Sequence, residues 1–420
     1  MKTMFKSFYL LAGISLILAG CSKKDYGCTD PSAANYDPNA EEDCCCYYAP
    51  PSSDNVVISS AITIDTEWTN DNIYELDGRI AVEAGATLTI QEGTIIKGQA
   101  GSGPNASALL VARNAKLIAE GTADLPIIFT SVADEISQAD VASGNYSSPN
   151  LDPTINGLWG GVIVLGNAPI SASAETVSIE GIPTTDANGL YGGSDDMDNA
   201  GASVLKYISI RHGGSNIGAG NEINGLTLGG VGSSTEISNI EIVSNQDDGI
   251  EWFGGTVDVS NVVVWNVGDD GLDTDQSWAG TLDNFVVVTP AGHCFELDGP
   301  EGSMVAGHTF MNGTVIASDE SAEVDRKSED LINTDDNSVV DFVNVHITGI
   351  AEGQVVNRTM HTEGTVNFTN VTLDVDTSNL GDYIGDSDTA PIGITAGGSS
   401  QADVSGMGWT WAAQDGKLDF

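Results

Sequence analysis

Positive charge is scarce in this chain: 14 Lys and Arg stand against 60 Asp and Glu, a formal charge of −46 over 420 residues. Such a field repels nucleic acid and anionic membrane while concentrating cations, so nucleic acid is excluded as a partner. No apolar run of membrane length follows the first twenty residues, and no segment sustains a 3.6-residue apolar period, so helices are expected to be minor. Cysteine is nearly absent from the main body, where Cys294 stands alone among apolar neighbours and reads as a buried thiol rather than a catalytic one. What is plentiful is glycine, 50 residues with 13 prolines, alongside 40% hydrophobic residues. That is the composition of a folded chain that turns every few residues, not of a disordered one.

The first twenty residues carry Lys2 and Lys6, then an apolar run from Phe8 to Leu18, then Ala19 and Gly20 immediately before Cys21. This is the layout of a secretory leader, too short to span a bilayer. The small residues ahead of Cys21 resemble the bacterial lipobox. The resemblance implies cleavage after residue 20, acylation of Cys21, and membrane attachment through that lipid rather than through a spanning helix. Loss of Lys2 and Lys6 takes the charge from −46 to −48. No Asp directly follows Cys21, and Ser22-Lys23-Lys24-Asp25 partly resembles the surface-export tag of Bacteroidota lipoproteins. The expected location is therefore the outer membrane, facing outward, with residues 21–27 as a lipidated tether.

Residues 28–48 form a Cys-rich module. In an oxidising envelope its cysteines are expected to be bridged, with Cys28 to Cys46 the preferred pair and the pairing of Cys44 and Cys45 open. The run from Cys28 to Cys44 resembles the Asn-Tyr-x-Pro-x-Ala repeats of secreted proteins, which are similar to thrombospondin type 3 calcium repeats. Asp30, Asn35, Asp37, Asn39 and Asp43 supply closely spaced oxygens, and calcium accepts six to eight oxygen ligands in flexible geometry. An acidic, disulfide-tied spacer accounts for the same residues. Residues 49–55, with Pro50 and Pro51, close the module as a short stiff linker.

From residue 56 to 415 the texture is uniform: short β-branched runs such as 86–90, 116–118, 127–129 and 161–165 recur between Gly, Asn and Asp turns, and 416–420 is expected to be a tail. The decisive pattern is an ungapped repeat. Residues 239–253 align with 261–275 and those with 284–298, at offsets of 22 and 23 residues. That is one coil of a parallel β-helix, so the fold expected is all-β, a single-stranded right-handed parallel β-helix with loop insertions. Coils stacked at ~4.8 Å place equivalent residues above one another. Ile240, Val262 and Phe285 should form one inward column, and Ile250, Leu272 and Phe295 another. Residues 116–130 and 158–164 resemble the pectin-lyase-like superfamily, with β-helical surface lipoproteins of Bacteroidota nearest in pattern. That fold hosts lyases, hydrolases and adhesins, so it implies no single chemistry.

The alignment also stacks acids: Asp247 and Asp248 over Asp269 and Asp270, then Gly292 and His293, with Glu251, Asp273 and Glu296 in an outward column and Asp275 and Asp298 beyond it. Two carboxylates at ~4.8 Å repel by ~3.5 kcal/mol at an effective dielectric of 20. Asp247, Asp248, Asp269, Asp270 and Asp273 are therefore candidate calcium ligands, against the reading that Asp-Asp-Gly is repeated turn chemistry. The same residues resemble family 28 glycoside hydrolases. Carried over, Asp270 would be the general acid, Asp248 and Asp269 would activate water, and His293 would support them. Gln246 adds a residue to the first motif, Cys294 replaces a glycine, and Arg326-Lys327 lacks the family's spacing.

His293 is otherwise a turn residue, and Arg211 and His212 are local partners for neighbouring acids. Trp159, Trp252, Trp265, Trp278, Trp409 and Trp411 could stack on sugar rings if outward, although the register makes Trp252 inward. Loops 131–156, 183–203 and 318–337 should project and carry specificity. The function expected is recognition or adhesion, with glycans or other envelope components as the ligand. A polysaccharide hydrolase and a spacer in a surface complex are the rivals.

Overall fold

The computed structural model describes residues 26–27, 42–43, 55–216, 223–319, 326–387 and 389–420. The chain divides into two compact units, Met1–Ser52 and Ser53–Phe420. In the first, Tyr26–Gly27 pairs in parallel with Glu42–Asp43. Cys21, Cys28, Cys44, Cys45, Cys46, Asp30, Asn35, Asp37 and Asn39 lie outside the described residues, as does the Asp43 side chain.

The second unit is the β-helix, and the physical reason is visible coil by coil. Each coil contributes a strand to three parallel faces. On the third face the order runs Arg79–Val82, Ala108–Val111, Val162–Leu165, Leu226–Gly229, Ile250–Phe253, Leu272–Thr274, Phe295–Leu297, Asn333–Thr334. The first and second faces begin as separate strands, such as Lys116–Glu120 and Ile127–Ser131. From Val204–Arg211 onward they fuse into one bent strand per coil, and that strand pairs with both earlier ones.

The bend is made by a single residue in the left-handed region. Tyr207, Asn239, Asn261, Asn284, Asn312, Asn344 and Asn370 occupy the same register, with φ between 50° and 62°. Asparagine tolerates this conformation better than other side chains that carry a Cβ. The stacked amides also satisfy one another: Asn284 donates to Asn261 (2.7 Å), Asn344 to Asn312 (3.1 Å) and Asn370 to Asn344 (3.0 Å). The corner that takes a multi-residue turn after Glu120 is thereby compressed into one residue.

The inward columns are those the repeat requires. Ile240, Val262 and Phe285 are in register, as are Ile250, Leu272 and Phe295, and all six are fully buried. Size complementarity runs along a column: a Cβ at Gly313 would sit 2.1 Å from the Phe285 ring, which fills the space that glycine leaves. Phe310, Phe342 and Phe368 continue the core as a stacked ladder with centroids 5.6–5.7 Å apart.

Several expectations are corrected. All six tryptophans offered as sugar platforms are buried, none more than 3% exposed; they fill space inside the coils or under covering segments. Parts of these loops, among the described residues, pack onto the coils. Residues 131–156 bury Ile136, Val141 and Tyr146 against Ile73, Ile95 and Ile128, which stand in register on the second face's outer side. The segment around Ile179, Ile182 and Tyr191 covers Leu110, Ile163, Leu165 and Phe253 on the third face. Within 318–337, Leu331 and Ile332 are core, and Asn333–Thr334 is a third-face strand. The end of the chain is not a free tail. It folds back over the second face, where Met407, Trp411 and Leu418 cover Val243, Trp265 and Val288. There the Ala412 N–H donates to Glu241 (2.9 Å), the Arg211 guanidinium lies 5.2 Å from the Trp411 ring centre, and Lys417 meets Asp319 at 3.3 Å. Arg211 does pair with an acid, Glu241, whereas the His212 ring meets the Ile155 carbonyl instead.

The asparagine corner yields a quantitative expectation. Asn344→Ala loses side-chain hydrogen bonds and keeps a Cβ in the left-handed region, for a loss of roughly 1–3 kcal/mol. Asn344→Gly loses only the hydrogen bonds. Thermal denaturation should rank wild type above Asn344→Gly above Asn344→Ala; an alanine variant as stable as the glycine one would remove the backbone argument.

Candidate functional site: an acidic strip on the third face

The Ile179–Tyr191 segment covers the early coils of the third face as far as Phe253, and beyond it the outward residues emerge gradually, from buried Glu251 to half-buried Asp273 and Glu296. The turns entering Ile250–Phe253 and Leu272–Thr274 each carry two acids, Asp247 with Asp248 and Asp269 with Asp270, and the next carries Gly292 and His293. Asp248 accepts the Asp270 N–H at 2.9 Å, and Asp270 in turn accepts the His293 N–H, so each carboxylate is tied to the coil that follows. One acid per coil is thus buried against the backbone of its neighbour 22 or 23 residues on. Asp247 and Asp269 are more open, Asp247 half-buried and Asp269 exposed.

Thr227, Glu251, Asp273, Glu296 and Asn333 then follow in strict register on the outward side. Asn224 donates to Glu251 and lies 3.3 Å from Thr227, and Asn333 donates to Glu296 at 3.2 Å. His293 Nδ1 lies 3.0 Å from Asp270 and 3.9 Å from Glu296. Among the described residues there are three sets within each of which the donor atoms lie within 4.8 Å of one another: Asp247, Asp248 and Asp269; Asp248, Glu251 and Asp273; Asp270, His293 and Glu296. Every residue of the later calcium and catalytic assignments, Asp247, Asp248, Asp269, Asp270, Asp273 and His293, therefore falls in one strip. Arg326 and Lys327 do not join it by strand pairing; their backbone runs antiparallel to Ser318–Asp319.

The charges are resolved differently along the strip. Burial, then the neighbouring carboxylates, pushes Asp248, Glu251 and Asp273 well above the carboxylate range. Burial would raise Asp270 too, but hydrogen bonds from the His293 ring, from Glu296 and from the His293 backbone outweigh it and hold Asp270 low. Burial opposes charge on His293, yet the hydrogen bond and charge of Asp270 raise it to about 9. The bond to Asp270 and burial lift Glu296 to about 8. A general acid must hold its proton, so a lowered Asp270 fits an ionised partner rather than that role. Cys294 is buried with its thiol pushed up to about 12 by burial, as a packing residue would be.

Sequence reasoning missed Asn224, Asn333, Tyr191, Gln276 and Glu301. Asn333 extends the outward column, but a long insertion separates it from Glu296 and hides its register. Tyr191 arrives from a covering segment, for which the repeat carries no signal.

A parallel β-helix with an acidic, half-sheltered strip on one open face defines a class of protein. The chain matches the pectate-lyase-like beta helix domain over residues 60–145 and 146–413, and it belongs to that family. No curated protein and no solved structure matches it. Family membership supports a carbohydrate-related role at that level of generality. No helix among the described residues is long and apolar enough to cross a membrane.

The strip makes the protein sensitive to pH in one direction. Glu296 (about 8), Asp275 (about 7) and Asp298 (about 6) hold protons in the folded state that the unfolded chain has released, and His293 does the same up to about 9. The folded state binds more protons throughout that window, so stability falls as pH rises from the carboxylate range to about 9. In metal-free buffer the melting temperature should be higher at mildly acidic than at mildly alkaline pH. Glu296→Gln should flatten the dependence, and an unchanged slope in that variant would refute the assignment.

Proposed function

We propose that the third-face strip is a glycan-binding site organised by calcium, on a surface protein tethered by lipid at Cys21 and facing outward from the outer membrane. One observation carries the reading: among the described residues, three donor sets follow one another along consecutive coils, two of them sharing Asp248, and each includes at least one residue that is not buried. Calcium suits Asp247, Asp248, Asp269, Glu251 and Asp273, because it accepts many carboxylate oxygens in irregular geometry and is available outside cells. Carboxyls that hold protons in its absence would release them to the ion, and the bound charge would offer coordination to sugar hydroxyls. Recognition or adhesion follows without any bond being broken.

Calcium at mildly alkaline pH should raise the melting temperature of the chain lacking only its leader, and the double variant Asp248→Asn, Asp273→Asn should lose most of that rise. Because the Cys-rich module could bind calcium by itself, a rise fully retained in the double variant would place the ion elsewhere and defeat the reading.

A second reading is favoured by a specific contrast, two touching carboxyls with opposed proton preferences. Glu296, raised and reachable, would serve as acid and Asp270, lowered, as the ionised partner in polysaccharide cleavage. Release of reducing ends from pectic and algal polysaccharides, abolished by Glu296→Gln and by Asp270→Asn, would establish it; no release from any of them leaves the binding role.

A further inference from the structure

Beyond the strip, at the exits of the same third-face strands, stands a second group of polar side chains. Asp275 and Asp298 follow Leu272–Thr274 and Phe295–Leu297 one coil apart, and are tied to the stack through N–H bonds to the Trp252 carbonyl (3.2 Å) and the Thr274 carbonyl (2.8 Å). Tyr191 comes from the covering segment, its ring edge-on to Phe253 at 5.9 Å and itself 3% exposed. Glu301 completes the group on the solvent side.

Gln276, next in sequence to Asp275 and 2% exposed, meets Tyr191 and Glu301. Its Nε2 donates to the Tyr191 hydroxyl at 3.0 Å and reaches a Glu301 carboxylate oxygen at 3.4 Å, so the amide head faces into the group. A carboxylate can only accept, which fixes the nitrogen on that side. The other end, Oε1, is then a buried acceptor with no donor. A buried polar atom left unmatched beside carboxylates calls for a ligand that donates hydrogen bonds and brings positive charge.

A bare metal ion is the poorer answer here. Asp275, Asp298 and Glu301 belong to none of the three sets whose donor atoms converge within 4.8 Å. A neutral hydroxyl would satisfy Oε1 but leave the carboxylates uncompensated, and a uronate would add repulsion. An alkylammonium offers three N–H donors around one charge, enough for Oε1 and two carboxylates at once.

We propose that Asp275, Asp298 and Glu301, with the Gln276 amide and the Tyr191 hydroxyl, form a second subsite that takes the protonated amine of an amino sugar. The inference rests on the carbohydrate reading and names the sugar class. The ligand is a glucosamine-containing chain running along the coils, its amine held at Gln276 and its hydroxyls toward Glu296.

The test is titration calorimetry of the leaderless chain near neutral pH. The probes are a glucosamine hexamer, an N-acetylglucosamine hexamer, cellohexaose, a galacturonate hexamer with calcium, and spermidine. The glucosamine hexamer should bind at least about tenfold tighter than the acetylated and neutral oligomers. Asp275→Asn and Gln276→Leu, each checked for an unchanged melting temperature, should erase that preference; Asp275→Asn alone keeps the test open if the leucine variant fails to fold. Equal binding of all oligosaccharides would overturn the amine subsite while leaving the carbohydrate reading intact. So would tightest binding of galacturonate, or a glucosamine preference untouched by both variants. Binding of spermidine without any sugar would overturn the carbohydrate reading and the amino-sugar assignment with it, and silence from every probe would overturn both.

Discussion

Vertical repetition governs this molecule. In a stack of coils one inter-strand spacing apart, every side chain lies ~4.8 Å from its equivalents above and below. A residue that suits its neighbours once suits them in every coil, which is how the inward columns of Ile, Val and Phe grow into one continuous core. The same constraint acts on polar groups. Asparagine amides that bend the chain become each other's hydrogen-bond partners. Carboxylates have no such option, and they become each other's problem.

Which faces stay open follows from what the outward columns offer. On the second face they are apolar, with Val243, Trp265 and Val288 in register, so the end of the chain returns to cover them. On the early coils of the third face, Leu110, Ile163 and Leu165 draw the Tyr191 segment down in the same way. Past that segment the outward residues become Glu251, Asp273 and Glu296, and no apolar cover could be laid there without stranding charge. The acids thus keep their own strip open, while the edge of the covering segment supplies the wall that half-shelters it.

The repeat made the coil, its register and the acid columns legible, because an ungapped offset translates directly into vertical neighbours. It did not disclose that Asn239, Asn261 and Asn284 are corners; the asparagine column is plain in the alignment, but its left-handed backbone is a property of the folded bend. Nor could it place segments that obey no period. Trp409 and Trp411 read as candidate sugar platforms and prove to be packing, since burial of a non-repeating strap depends on the face it lands on. The loop called 318–337 hid a whole coil because its insertion breaks the spacing. Gln276 and Tyr191 meet across 85 residues of chain, a contact no local pattern encodes.

The acids show how a fold built on repetition can leave work for the solvent. Coil by coil, the strip uses each available way to quiet a stacked charge. Asp248 and Asp270 accept a backbone N–H from the next coil, and Asp270 also takes the imidazolium of His293. Asp273, raised well above its ordinary range, is left to hold a proton. The charges acting most strongly on these carboxyls are other carboxyls, with His293 the exception. A chain selected only for stability could have placed a lysine or arginine in the column, as Lys206 stands between Glu120 and Glu236 on the first face. Arg79, on the first strand of the third face, pairs with Asp186 instead, and among the described residues no lysine or arginine stands in register with Glu251, Asp273 and Glu296. Stacked carboxyls with only one another for company stay costly to ionise, and that cost is what sets this column apart from acids dispersed over a hydrated surface.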